Sequence, residues 1–566
     1  MAPEILTRAI NQMKVINKAA FVYLGIIVFS ILFLLPFLGS VHLFDWDEIN
    51  FAESAREMIV TGDYVTVQID FEPFWEKPPL FFWLQVLSMK IFGINEFAAR
   101  FPNFLCGIAS LSLLYYLGRR LYGHRFGILW VFSYGAAILP FFYFKSGIID
   151  PWFNLFIFMG ISWFVFYLDP ERRGRRIPNI ILSALFFGLA ILTKGPVAIL
   201  IFLICFFIFL VTRRFRLATT AGHVGLFVLV LALTGGTWFL LQVISGNSHI
   251  LRDFIAYQIR LFSTYDAGHS GFFAYHLVVV LLGVFPASVI AMKSFTKKTE
   301  NTELQRIFRQ WMYIMFWVVL ILFSIVKTKI LHYSSLTYFP LAFLAAWVWE
   351  KWLDRKLEIS PWQVILLLLI ALILGGLAIG LPLAAINPHW LIGKDFGFMD
   401  AFARSALQAG VHWIGYEWLI GVFLLAGVSF SAIQILKRNP GGMIMLHLVA
   451  LLFVTASIYT FTGRIEGYTQ RAAINFFKGL KGRDVYVKTL GYKSYAHLFY
   501  VEKQPPEDPE KDHVEWLLSH EPDKDAYFVI KVNKREQILE RYPELEVLGE
   551  KNGYVFTVKR AAFDHD

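Results

Sequence analysis

Apolar runs of about 16 to 26 residues recur along the whole chain, separated by shorter polar connectors. A helical run of that length matches the hydrocarbon core of a bilayer. The pattern therefore predicts a polytopic α-helical membrane protein with 13 spans, at about 20–39, 99–118, 126–144, 149–168, 178–193, 195–212, 222–245, 272–292, 310–326, 333–349, 361–386, 412–436 and 442–462. The first run is too long for the core of a signal peptide and reads as an uncleaved span. Segment 79–93, PLFFWLQVLSMKIFG, is too short to cross comfortably and reads as an amphipathic helix lying on the outer interface.

Charge orders these runs. Arg119, Arg120 and Arg125, then Arg172 to Arg176, Arg213 to Arg216, Lys293 to Lys298, Lys351 to Lys356, and Lys437 with Arg438 all fall onto one side when 79–93 is not counted as a span. Basic connectors gather on the cytoplasmic side of membrane proteins. Counting 79–93 as a span would invert everything after it. The other, outer side then receives segment 40–98, the turns Lys145–Asp150, Thr193–Pro196 and Lys327–His332, the loops 246–271 and 387–411, and the tail.

Composition agrees. The chain is 57% hydrophobic and 17% charged, where a soluble protein carries about a quarter charged residues. The net charge of +10 sits in the short basic clusters, so it signals topology rather than nucleic-acid binding. Cys106 and Cys205 lie inside apolar runs, which predicts core packing and no disulfide framework.

The tail changes period. VYVKTL, HLFYV, AYFVIKV and YVFTVKR read as short strands, Asn552-Gly553 as a hairpin turn, and Gln470–Leu480 and Lys534–Arg541 as helices. The expected organisation is a transmembrane catalytic domain over 1–464 and a small soluble α/β domain over 465–566.

Candidate chemistry gathers on the outer side. Phe44–Leu80 carries acids beside Trp46, Phe74 and Trp75, which is unusual for a plain connector. Asp47 and Glu48 follow the first span, where an acid can act as general base on an acceptor hydroxyl or bind a cation. Glu76-Lys77-Pro78-Pro79 sets a potential cation ligand, Glu76, beside a phosphate-binding ammonium, Lys77, on a backbone stiffened by proline. Asp150 and Lys194 mark two further membrane boundaries, where a charge needs water, a partner or a headgroup. In 246–271, Arg260 suits phosphate and His269 a cation. Lys329 and Tyr333 could grip a phosphate between helices.

The stretches DWDEINFAESAREMIVTGDYV, EKPPLFFWL, FGINEFAARFP, LTKGP and SIVKTKILHYSSLTYFP resemble the GT-C type membrane glycosyltransferases of the aminoarabinose transferase and protein mannosyltransferase superfamily. The resemblance implies a polyprenyl-phosphate sugar donor, an envelope acceptor (lipid A, a glycan or a protein), a divalent metal cation, and a bacterial inner membrane with the active site and tail facing the periplasm. It implies that Asp47 is the first-loop catalytic acid, Asp150 the second-loop acid, Glu76 and Lys77 neighbours of metal and lipid phosphate, and Tyr333 a neighbour of that phosphate. Asn50 stands where relatives commonly carry Arg, and the family's metal-binding His corresponds to His269 or is lost at Gln258. A transporter or flippase of a lipid-linked substrate is the alternative, but it would place ionisable residues near the bilayer midplane. A structural or receptor protein would leave the acidic first loop without a purpose.

Overall fold

The computed structural model describes residues 17–216, 219–263, 271–295, 302–392 and 399–561. All 13 apolar runs contain helix. Among the described residues seven helices are long and apolar enough to cross a membrane, or up to nine if two bent pairs each count as one span. The count of 13 full spans is therefore not reached. Several runs are divided, as at His124–Gly135 with Ile138–Tyr143, or too short, as at Val197–Thr212. The bent pairs are Ala221–Gly235 with Thr237–Ile244, at 53°, and Tyr275–Gly283 with Ala287–Phe295, at 109°.

The connectors sort onto two ends of the bundle. At one end, Arg125 pairs with Asp354 at 2.7 Å, Arg213 with Glu303 at 2.8 Å, and Lys293 donates to Ser360 at 2.6 Å. At the other, Lys194 meets Asp150 at 2.7 Å and His332 lies 3.5 Å from Asp47. The helix Leu80–Phe92 starts after Pro78-Pro79, buries Phe81, Phe82, Val86 and Met89, and exposes Leu87, Ile91 and Phe92. A face of that kind suits a helix lying against lipid.

In the first outer segment β1 (Gln68–Ile69) and β2 (Glu72–Pro73) form a short hairpin, and the tail forms a four-stranded sheet of β3 (Tyr486–Leu490), β4 (Ala526–Lys531), β5 (Glu546–Lys551) and β6 (Tyr554–Lys559), in the order β3-β4-β6-β5. β3 and β4 are parallel and the other pairs antiparallel. Asn552 and Gly553 turn β5 into β6 with φ of 50° and 84°, the left-handed backbone that a two-residue hairpin needs. HLFYV, expected as a strand, is instead the helix Ala496–Val501, buried throughout. A short, wholly apolar run has no period by which to choose.

The two parts share a core. Ile49, Phe51, Ala55 and Met58 from the helix Asp47–Thr61 and Phe81 and Phe82 from Leu80–Phe92 pack with Phe477, Val487, Phe499, Val529 and Phe556 of the tail. Alternate positions on β4, Phe528 and Ile530, fill a separate core on the sheet's other face. The first outer segment is therefore a packed layer between bundle and tail, and its charged helix is almost wholly buried.

Candidate functional site

Asp47 opens the helix Asp47–Thr61, where the helix dipole favours an anion. The preceding Trp46 has φ 72°, a left-handed backbone that a bulky residue rarely adopts. Glu48 and Arg100 hold the chain in this turn. Arg100 donates from Nε to Glu48 Oε1 at 2.9 Å and from Nη2 to Oε2 at 2.8 Å, and also to the carbonyls of Leu38, Val41 and His42. The amides of Phe44 and Gly147 donate to the same carboxylate. Burial pushes the Glu48 carboxyl up, but the Arg100 charge and these donors outweigh it and keep it below the usual carboxylate range. Glu48 is thus fully engaged in structure, while the Asp47 side chain remains 41% exposed.

Asp150 begins the helix Asp150–Tyr167, with Pro151 in its first turn. Asn103 steadies the turn before it by donating to the carbonyls of Ser146 and Ile148, both at 2.6 Å. Asp150 Oδ1 accepts from Lys194 at 2.7 Å, and Oδ2 lies 3.5 Å from His332 Nε2. Lys194 ends the helix Arg176–Lys194, which stops at Gly195 with φ 98°. His332 and Tyr333 ride on the short 3-10 helix Leu331–Thr337, tied to the Asp150 helix by Asn154 donating to Ser335 at 2.7 Å. The Lys194 ammonium lies 5.2 Å from the centre of the Tyr333 ring.

Lys77 faces the same group. Burial lowers its pKa from the ordinary lysine value; Glu76, 3.9 Å away, with Asp47 and Asp150 opposes this, and Lys194 adds to it. The His332 pKa is likewise lowered by burial first, with Asp150 and Asp47 opposing this and Lys194 and Lys77 adding to it.

Two cavities flank these residues. The larger, about 760 Å³, is lined by Asp47, Glu76, Arg260, His332, Lys145, Lys493 and Tyr495 over an apolar wall that includes Phe37, Phe142, Leu331 and Tyr459. The smaller, about 70 Å³, has Lys77, Asp150, Lys194 and Tyr333 at its polar rim and Phe153, Val197, Ile201 and Phe323 in its wall.

The structure thus brings Asp47, Glu76, Lys77, Asp150, Lys194, Arg260 and Tyr333 to the two adjoining cavities. Two of the expected groups are engaged elsewhere. Glu48 is locked to Arg100. Lys329 donates to the carbonyls of Phe323, Ser324 and Val326, at 3.1, 2.6 and 2.6 Å, which occupies the three donors of its ammonium and caps the helix Glu303–Ile325. His269 lies outside the described residues. Among the described residues no three His, Cys, Asp or Glu groups converge as a metal site. Asp47, Asp150 and His332 come near one another, with Lys194 on one Asp150 oxygen and Lys77 close by.

Sequence reasoning passed over His332, although it stands directly before Tyr333, and Arg100, whose partner is 52 positions away. Asn50 lines the larger cavity, and its buried Oδ1 has no hydrogen-bond partner.

A family model described as dolichyl-phosphate-mannose-protein mannosyltransferase matches residues 76–238. The undecaprenyl phosphate-alpha-4-amino-4-deoxy-L-arabinose arabinosyl transferase of Photorhabdus laumondii is 27% identical over 57% of this chain; the chain spans 58% of that relative's length. That of Pectobacterium atrosepticum is 27% identical, over 75% of this chain and 78% of the relative. The crystal structure of ArnT from Cupriavidus metallidurans bound to undecaprenyl phosphate superposes with a TM-score of 0.75 at 18% identity, covering 95% of this chain and 98% of that one. The fold shared with that structure is the GT-C type of multi-pass membrane fold. Within it, the sequence matches support the aminoarabinose transferase and protein mannosyltransferase superfamily.

Proposed function

We propose that the protein transfers a sugar from a polyprenyl-phosphate carrier to a hydroxyl of an envelope acceptor, at the periplasmic face of a bacterial inner membrane. The observation that carries this reading is the position of Asp47 and His332 between an apolar pocket rimmed by two lysines and a tyrosine and a larger cavity of mixed character. The small pocket suits the phosphate of the donor, with its apolar wall at the point where the isoprenoid chain begins. Lys77 and Lys194 meet the phosphate charge, and the wall of Phe153, Val197 and Ile201 meets the hydrocarbon. The relatives are named for an undecaprenyl-phosphate aminopentose, and this chain's donor is proposed to be of that class. The larger cavity receives the acceptor. Its apolar wall favours an amphiphile such as lipid A over a free glycan or a protein.

In the reaction, Asp47 takes the proton of the acceptor hydroxyl as its oxygen bonds to the anomeric carbon. The bond from that carbon to the phosphate oxygen breaks, its electron pair leaves with the polyprenyl phosphate, and the sugar is inverted. The two ammoniums stabilise the charge growing on the leaving phosphate, in a site where burial strengthens each contact. His332 stands between Asp47 and Asp150, 3.5 Å from each carboxylate.

A flippase would also use broken helices. Here, however, the helix after the 53° bend is seated on the outer segment, with Trp238 and Gln242 both donating to the Val65 carbonyl at 2.8 and 2.9 Å. The test is to incubate purified protein with undecaprenyl-phosphate sugars and an envelope lipid extract. Release of undecaprenyl phosphate with label passing to a lipid supports transfer. Movement of intact donor across vesicles without release would overturn it.

A further inference from the structure

We propose that the carboxyl-terminal domain is a positioning part of the active site: its Lys488 and Lys503 grip Asp70 and so hold the Glu76-Lys77 segment against Asp47. The inference rests on the transferase reading.

Asp70 and Phe71 form the tip of a two-residue hairpin between β1 (Gln68–Ile69) and β2 (Glu72–Pro73). Both have φ near +60°, a backbone that such turns normally give to Asn and Gly. A turn made of Asp and Phe needs outside support to persist. Support comes from two directions. Glu57, on the helix that begins at Asp47, accepts from the amides of Asp70 at 2.7 Å and Phe71 at 2.9 Å. From the tail, Lys488 binds the Asp70 carboxylate at 3.2 Å and Lys503 binds its other oxygen, while Asp512 takes both lysines. Burial raises the Asp70 carboxyl, but the two lysines outweigh it and keep it ionised.

The hairpin leads straight into the site. The Phe74 amide donates to the Val67 carbonyl at 2.7 Å, and Glu76 and Lys77 follow two and three residues later. The tail also holds the chain ahead of Asp47: Gln470 donates to the Leu43 carbonyl and accepts from the Asp45 amide, and Tyr500 accepts from the Leu43 amide. Both ends of the segment from Asp47 to Lys77 are therefore fixed by one domain. A four-charge cluster with Lys488 and Asp512 buried and Asp70 and Lys503 half-buried is a poor way to add stability, because apolar side chains in its place would do as well. Its distinctive contribution is a fixed geometry.

The test uses full-length protein in nanodiscs with Asp70→Asn, Lys503→Gln, and the charge-keeping variant Lys503→Arg. Hydrogen exchange over residues 66–78 reads the clamp without reference to activity. The expected result for Asp70→Asn is faster exchange there, a fall in kcat of about 10- to 100-fold with a raised donor KM, an unchanged acceptor KM and little change in Tm. Lys503→Arg, which keeps the charge, retains most of the rate that Lys503→Gln loses. Unchanged exchange, or faster exchange with unchanged kcat, would overturn the proposal, as would a rate loss that only follows Tm. If wild type releases no polyprenyl phosphate from any donor, the transferase reading fails, and the catalytic role of the clamp with it.

Discussion

Two groups of charges adjoin at one end of the bundle, one around Asp47 and Asp150, the other around Glu48 and Arg100. In the second, every strong donor and acceptor has a partner at 2.5 to 3.0 Å, and both side chains are buried. In the first, His332 stands 3.5 Å from each carboxylate, one buried oxygen of Asp150 has no hydrogen-bond partner, and two lysines are held close together in partial burial. Charges that repel and carboxylates left partly unmatched are costly in a finished structure. They become favourable when an anion enters between the lysines and a hydroxyl reaches Asp47. The difference separates a knot that builds the site from a set of groups waiting for substrate.

Five substitutions break or sharpen that contrast. Asp47→Asn removes the base and lowers turnover by about 10²- to 10⁴-fold, with the fold intact. Lys77→Gln and Lys194→Gln each remove charge from the leaving phosphate and lower kcat by about 10²- to 10³-fold, read by release of undecaprenyl phosphate. Arg100→Ala acts on the knot instead. It leaves Glu48 buried without its partner and destabilises the protein by about 3–5 kcal/mol, so activity is lost together with folded protein in a thermal-shift assay. Lys329→Met frees three carbonyls, costs about 1–3 kcal/mol of stability and leaves the donor KM unchanged.

Acidity gives a further test. Lys77 binds phosphate only when protonated, and burial lowers its pKa. Donor binding is therefore full below that lowered value and is lost as pH rises through it, earlier than the ordinary lysine value of about 10.4 would require. Lys77→Arg keeps its charge at any working pH and moves the alkaline limb of kcat/KM upward.

Much of this was legible in the sequence where a local period or turn carried it. The helix Leu80–Phe92 followed from a run too short to span, and the β5–β6 hairpin from Asn552-Gly553. Asp47, Lys77, Asp150 and Lys194 stood out because charge at a membrane boundary is costly. What long-range contact decides was hidden. Glu48 reads like Asp47 until Arg100 arrives from another helix. Lys329 reads like a phosphate ligand until its ammonium turns back onto a helix end. The helix Asp47–Thr61, with Glu53, Arg56 and Glu57, has the charge of a surface helix, yet the tail buries it. The 13 apolar runs did not show which were broken or too short, because a bend at Gly236 or Pro286 leaves composition unchanged.

The most direct measurement compares wild type and Asp47→Asn in the same nanodiscs, following both the binding of undecaprenyl phosphate and its release from the sugar-linked donor. The predicted result is equal Kd for the lipid phosphate and loss of release in the variant alone. Equal release by the two proteins would contradict the role assigned to Asp47 and the account built on it.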